Sequence, residues 1–501
     1  MSSSDNLTSQ SVSAVKWSAI GTVARFGLQL CAQIVLARLL GPENYGLFAL
    51  GLVVLTFSNM LADFGFAWGL VQNQNLSERD IRFVFTWQLV SGILSASALF
   101  LLAPAIATFF VEPRIEPIIR WLSLASVLIA TAAPASNLLR RKLDFKSINI
   151  IQTVSYSIGY LAIGIPLAYL GAGVWALVAA WLSQAFFALV FSFIRSPHSL
   201  KLLFWYEGAS SMTQVGFAVF GTNISNWMLN NLDRIFLGRL LNAHSVGLYS
   251  VGYNLANTPN SLFLCALQPA FLAAGARIQD EPERLRDIYL SVLASIWVLI
   301  LPMFILFAMM APDLVGVLYG VAWLPSGTVL AILACAMPAY ITWGMSTPIL
   351  WNTGHKQWES LFQLPILALA AVAFFYFGKQ GIVVAAAIAA GTLLARALVI
   401  TTTACRLLKI GPADLFGFAS RGLAMGIIAA TGAYVGLCLG RMLGTAHIYP
   451  LLLGSIVGGA ALVATALIFP GVLGTTVVGM LGRFSPVLSR ILKRRLAPAA
   501  A

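Results

Sequence analysis

The chain has 501 residues, 59% of them hydrophobic and 9% charged, with a formal net charge of +13. A soluble domain carries about a quarter charged residues, so this composition excludes a water-soluble globular protein and points to a bilayer. The basic excess would suit nucleic acid in a soluble chain. Here lysine and arginine fall in short loops with no basic-aromatic surface between them, so no nucleic-acid partner is expected.

In chain order, the polar stretch 1–14 lacks the positive n-region of a cleaved signal. It is expected as a cytoplasmic N-terminus, with the first helix retained as a signal anchor. Fourteen apolar runs reach the ~20 residues that a spanning helix needs. They lie near 15–38, 45–70, 83–109, 116–138, 148–170, 174–194, 211–238, 246–275, 287–310, 326–350, 358–377, 381–405, 419–440 and 448–470. The expected fold is an all-α integral membrane protein of about 14 helices, with two pseudo-symmetric six-helix lobes and two further helices. Residues 15–195 form the N-lobe, 196–210 a cytoplasmic linker and 211–406 the C-lobe. Helices 13 and 14 occupy 407–470, and 471–501 form a basic cytoplasmic tail. The charged segment 278–290, which Pro282 is placed to open, reads as an amphipathic cytoplasmic connector. With the N-terminus inside, 21 lysines and arginines lie on the cytoplasmic side and 6 opposite, which puts both termini in the cytoplasm.

The two lobes are suggested by internal repeats. LARLLGPENYGLFALG at 36–51 recurs as LGRLLNAHSVGLYSVG at 237–252, a constant offset of 201 that pairs Gly46 with Gly247. GAGVWALVAA at 171–180 matches GKQGIVVAAA at 378–387, pairing Gly173 with Gly381. The offset of 201 also maps Arg25, Gln29 and Gln33 onto Asn226, Asn230 and Arg234. Each trio is spaced i, i+4, i+8, which makes one polar stripe along an apolar helix. Duplicated polar stripes in parallel repeats imply a pseudo-symmetric transporter with its site between the halves.

Charges inside predicted spans are costly against lipid, at about 2.5–3.5 kcal/mol each, so they must face a cavity or one another. They are Arg25, Asp63, Asp233, Arg234 and Arg396. Arg25 and Asp63 fall at similar depth and could form an ion pair. Asp233 and Arg234 read either as a structural pair or as an ion-coupling site, as does Asp63, and Arg396 either as a substrate contact or as a residue snorkelling to the surface. Arg38 and Arg239 read as interface anchors. Asn59, Asn223, Asn257 and Asn260 extend the candidate lining, with Thr56, Tyr253, Gln152, Tyr156 and Tyr160 beside them. Amides suit sugar hydroxyls and arginines suit phosphate. Three arginines against two aspartates lean towards an anionic substrate.

Enzyme chemistry finds no support. The four histidines lie in predicted loops with no ligand spacing, and GxSxG, HExxH and P-loop motifs are missing from the sequence. The five cysteines are scattered through apolar runs, so no metal or cofactor is expected.

With these residues in view, the chain resembles the Wzx-type polysaccharide flippases of the multidrug/oligosaccharidyl-lipid/polysaccharide exporter superfamily. The resemblance rests on LARLLGPENYGLFAL, LADFGFAWGLVQ (61–72), PASNLLRRKLDFK (134–146), GAGVWALV (171–178) and NNLDRIFLGRLLNAHSVGLYSVGYNLAN (230–257). It covers roughly residues 15–406 and is densest in the first 260. It implies a V-shaped, fourteen-helix, monomeric transporter of the bacterial inner membrane. Such a protein flips undecaprenyl-pyrophosphate-linked oligosaccharide units by alternating access, for exopolysaccharide or lipopolysaccharide synthesis. The implied partners are the lipid-linked oligosaccharide and a polymerase with chain-length and export machinery. The rival readings are a cation-coupled multidrug exporter of the same fold and a membrane polysaccharide polymerase.

Overall fold

In hydrocarbon a backbone must satisfy its own polar groups, and a long apolar run does so as a helix. The computed structural model describes residues 3–63, 70, 76–206, 209–278, 281–474 and 477–479, all helix or connecting loop. The long helices are α1 (Ser3–Asp63), α2 (Glu78–Phe110), α3 (Ile115–Arg141), α4 (Phe145–Tyr169), α5 (Val174–Arg195), α6 (Ala209–Leu240) and α7 (Ala243–Arg277). They continue with α8 (Pro282–Tyr319), α9 (Leu324–Asn352), α10 (Lys356–Phe377), α11 (Ile382–Leu407), α12 (Pro412–Leu443) and α13 (Ile448–Ile468).

Among the described residues, eleven helices are long and apolar enough to cross a membrane. The other two, α6 and α7, carry the densest polar residues, Asn226, Asn230, Asp233 and Arg234 on α6 and Tyr253, Asn257 and Asn260 on α7. The α1 helix breaks once, at Gly41 (φ 72°, ψ 171°), a conformation that a side chain would strain. Pro42 then opens its second arm, where a missing N–H costs nothing. Counting both arms gives 14 helices among the described residues, in line with the expectation, and the chain is a multi-pass membrane protein.

Two boundaries differ from expectation. The α1 helix already begins at Ser3, so much of the polar stretch 1–14 is helical. The segment opened by Pro282 is no separate connector. It runs unbroken into a span, Pro282–Tyr319, through a π-helical stretch at Ile296–Ile300. The first part of the 196–210 linker is an ordered strap lying on α2. Arg82 donates to the carbonyls of Lys201 (3.1 Å) and Leu202 (3.3 Å), and the Trp87 indole donates to that of Phe204 (3.0 Å). Tyr206 donates to Asp80, the residue that completes the capping box of α2 with Ser77.

The chain divides into two compact units, Met1–Ser250 and Val251–Ala501. The first packs around buried Leu36, Leu50, Leu55, Phe83, Ile115 and Ile118. The second packs around Trp323, Tyr289, Phe374 and, unexpectedly, Arg396. In both units one helix starts on a repeat glycine held at positive φ, Gly173 (57°) before α5 and Gly381 (115°) before α11. Their match at the sequence level thus reflects the same backbone demand.

Candidate functional site

The 36–51 and 237–252 repeats meet inside the first unit. A Cβ built on Gly46 would fall 1.7 Å from the Ala243 carbonyl oxygen, and one on Gly247 would fall 1.9 Å from that of Pro42. Pro42 and Ala243 are themselves related by the offset of 201. The contact is therefore reciprocal, as in an isologous interface. Two helix starts cross backbone to backbone, which small residues permit in membranes. Beside this crossing Arg114 bridges Glu112 (2.7 Å) and Glu43 (2.7 Å). The hydrogen bond from Arg114 holds the Glu112 carboxyl below the usual range.

The stripes run along the two helices, α1 and α6, that lead into this crossing. Arg25, Gln29 and Gln33 on α1 are half-buried, as are Asn59 on its second arm and Asn226, Asn230 and Arg234 on α6. The Tyr156 hydroxyl reaches the Gln29 carbonyl at 3.5 Å, from a tyrosine stacked on Tyr160 (4.4 Å) where α4 becomes π-helical. Thr56 accepts from the Trp227 indole at 3.2 Å, which joins the second arm of α1 to α6. Gln33 Nε2, Asn59 Oδ1 and Asn226 Oδ1 are buried without a hydrogen-bond partner among the described residues. An unmet buried amide costs about 1–3 kcal/mol, so such atoms mark a place where polar partners belong. The side chains of Asp63 and Asn223 and the basic tail lie outside the described residues. The Arg25–Asp63 pair falls with them.

Asp233 is 6% exposed, and its carboxylate accepts from the Tyr249 hydroxyl (2.6 Å) and the Arg234 backbone N–H (2.8 Å). The contact that fixes it is thus to a tyrosine on α7. Arg239 and Arg38 are exposed, and Arg239 donates to the Phe109 carbonyl at 2.8 Å. A groove of about 560 Å³ among α1, α2 and α6 is apolar, with Phe57, Leu94, Phe110 and Trp227 on its walls, and holds none of the stripe residues.

In the second unit Asn257 is half-buried, whereas Asn260 is 1% exposed and bonded to it at 2.8 Å. Arg396 does not snorkel. It is fully enclosed, with its guanidinium 4.2 Å from the Trp343 ring centroid and 5.7 Å from that of Tyr340, and it donates to Gln363 Oε1 at 3.1 Å. Gln363 donates in turn to Glu359 Oε1 (3.3 Å), whose other oxygen accepts from the Trp351 indole (2.9 Å). Glu359 is 4% exposed, and sequence reasoning passed over it because it sits at the very start of a span. Its i, i+4 spacing from Gln363 was the available signal. Asp313, assigned to a loop, is also inside a helix and lies 2.7 Å from His447. These two carboxylates overturn the charge balance on which the anionic-substrate reading leaned. The half-buried stripes remain.

Comparison with known proteins fits this architecture. The lipopolysaccharide biosynthesis protein WzxC of Escherichia coli (strain K12) is 28% identical over 323 residues, 64% of this chain and 65% of that protein. The succinoglycan biosynthesis transport protein ExoT of Rhizobium meliloti (strain 1021) is 28% identical over 321 residues, with the same shares. The chain thus aligns with about 65% of the length of either relative. Among solved structures, the lipid II flippase MurJ in an inward closed conformation superposes with a TM-score of 0.72 at 13% identity, covering 90% of this chain and 98% of that one. An inward-facing multidrug resistance MATE family transporter of the MOP superfamily gives 0.59 at 15% identity, covering 78% and 98%. Both share the fold. The sequence profile described as "Polysaccharide biosynthesis protein" matches residues 35–328, more than half of the chain, and the chain belongs to that family.

Proposed function

We propose that this protein carries a lipid-linked, pyrophosphate-bearing oligosaccharide across the bacterial inner membrane by alternating access, with both termini in the cytoplasm. The observation that carries the proposal is the pair of half-buried polar stripes on α1 and α6, with unmet amide atoms along them. Amides with free hydrogen-bonding capacity suit sugar hydroxyls, which both donate and accept. Arg25 and Arg234 supply charge for the pyrophosphate, Asn59 extends the sugar contacts, and the lipid tail stays in the bilayer. The names of the relatives, a succinoglycan transport protein and a lipopolysaccharide biosynthesis protein, support this substrate class. The supply of substrate and the removal of product fall to separate glycosyltransferases and a polymerase. Arg396, enclosed in the second unit, belongs to the internal packing of α9–α11 rather than to the substrate surface.

The test is polymer export in a strain deleted for this protein and complemented with wild type or Arg25→Ala, with extraction of lipid-linked intermediates. Expected for Arg25→Ala is at least a tenfold loss of polymer, with repeat units accumulating on the carrier and facing the cytoplasm. Wild-type export by Arg25→Ala removes its headgroup role. Normal polymer in the deletion strain, with raised sensitivity to cationic dyes, points to a drug exporter instead, and units accumulating on the outer face point to a polymerase.

A further inference from the structure

The strap at 200–206 directs its backbone polar groups to side chains of α2. Arg82 donates to the carbonyls of Lys201 and Leu202, the Leu203 N–H donates to Thr86 Oγ1 (2.8 Å), and the Trp87 indole donates to the Phe204 carbonyl. Beneath it the buried Phe83 ring meets Trp205 (6.4 Å between centroids) and Tyr206 (5.6 Å). The outward side is apolar. Leu200, Leu202, Phe204 and Trp205 are between 51% and 65% exposed, in a segment that belongs to no helix.

The depth of the strap follows from α2. Residues 83–111 carry no charge and, at 1.5 Å per residue, cover ~43 Å, the thickness of a bilayer with its headgroup layers. Thr86 and Trp87 lie about 5–6 Å inside the charged end of that run. The strap bonded to them therefore sits at the boundary between headgroups and acyl chains. Non-helical backbone is costly there unless its polar groups are met, which is what Arg82, Thr86 and Trp87 do. Basic residues flank the apolar side. Arg79 is exposed one turn before Arg82, and Lys201 is exposed on the strap itself. The Arg195–Asp144 bridge (3.1 Å) ties the basic loop that holds exposed Lys142 to the end of α5, from which the strap departs. Apolar side chains beside lysine and arginine at this depth match a leaflet of anionic phospholipid. A soluble partner would have to enter the headgroup layer to reach them.

We propose that residues 200–205 form a lipid-binding anchor. Leu200, Leu202, Phe204 and Trp205 enter the acyl chains of the leaflet, and Arg79, Lys142 and Lys201 hold the phosphates of anionic phospholipids. This part of the expected cytoplasmic linker is then membrane surface instead of solvated loop. The inference borrows from the transport reading only the side of the membrane, and vesicles with the same lipids in both leaflets remove that dependence.

The test is fluorescence of the full-length protein in phosphatidylcholine vesicles, with part of the lipid replaced by its dibrominated form. Emission of wild type minus that of Trp205→Phe isolates Trp205. Brominated lipid should quench most of this difference, and aqueous iodide little of it. Phe204→Trp, read as variant minus wild type, reports the same depth without removing Trp205. Quenching of both reporters by iodide and not by brominated lipid overturns the anchor and leaves the apolar side to a water-borne protein partner. Headgroup choice is read with brominated phosphatidylglycerol at the same fraction, which should quench Trp205 about twofold more than brominated phosphatidylcholine. Combined Arg79→Gln, Lys142→Gln and Lys201→Gln should abolish that preference while either lipid still quenches Trp205. Equal quenching by the two lipids in wild type overturns the anionic site, and a preference that survives the triple variant overturns its assignment to these three residues. Loss or retention of polymer export by Arg25→Ala changes none of these readouts.

Discussion

The polar stripes of the first unit and the network around Arg396 in the second sit in opposite surroundings. In the first, Arg25, Gln29, Gln33, Asn226, Asn230 and Arg234 remain half-buried, strung along α1 and α6. In the second, Arg396, Glu359, Gln363 and Asn260 are sealed, at 0%, 4%, 2% and 1% exposure. A polar side chain in a membrane helix either lines a surface that polar matter can reach or locks helices together, and the sequence pattern for both is the same. The difference shows in what each loses on mutation. Locking residues should act on stability, lining residues on transport.

The sharpest way to break this comparison is to exchange the arginines. Arg396→Ala removes the buried cation of the Glu359–Gln363 network, and breaking a buried charged network from one side costs about 3–5 kcal/mol. Thermal unfolding in detergent should show a large drop in Tm, whereas Arg25→Ala should change stability by about 1 kcal/mol or less. Equal losses would erase the distinction between the units.

Next in size is the Asp233 lock, a sealed carboxylate beside the open stripe of the first unit. Tyr249→Phe removes the donor to Asp233 Oδ2, and a buried acceptor left unmet costs about 1–3 kcal/mol. Tyr156→Phe, whose hydroxyl makes only a 3.5 Å contact, should cost clearly less in the same melts.

The glycine crossing offers a third comparison, between the repeats themselves. Gly46→Ala or Gly247→Ala forces two backbones apart, an overpacking cost of about 1–3 kcal/mol for each. The two changes call for the same displacement, so the double variant should cost less than the sum of the singles. Strict additivity would mean that the two contacts relax independently.

The smallest effect belongs to a surface lock. Burial raises the Asp144 pKa, but hydrogen bonds from Ser147 and Arg195 outweigh it and leave the carboxyl below its usual range. A depressed carboxylate stabilises the fold above its ordinary pKa, about 3.9, and the benefit fades as pH falls through the lowered value. The pair is partly exposed, so Asp144→Asn should cost about 0.2–1 kcal/mol at neutral pH. The gap to wild type should close on acidification below about pH 4 in pH-dependent melts.

Much of this molecule was legible beforehand because its causes are local. Runs of apolar residues must become helices in lipid whatever they pack against. Gly173 and Gly381 begin helices at positive φ, a demand written in the residue type itself. The site was legible only as a set of stripes. Helical spacing puts Arg25, Gln29 and Gln33 on one face, but the depth of Glu359 depends on where a helix starts, and composition places that boundary only to a few residues. Asp313 was lost in the same way when its helix proved longer than its apolar run.

Membrane spanning, a count of about fourteen helices and the repeat of the halves can be read along the chain alone. Hydropathy, length and the offset of 201 are properties of the chain read in order. That Gly46 and Gly247 answer one another across a single crossing, and that Arg396 is enclosed while Arg25 is not, emerges from packing. Enclosure is made by side chains from helices distant in sequence: Trp343, Gln363 and Arg396 come from α9, α10 and α11 and meet only when those helices pack.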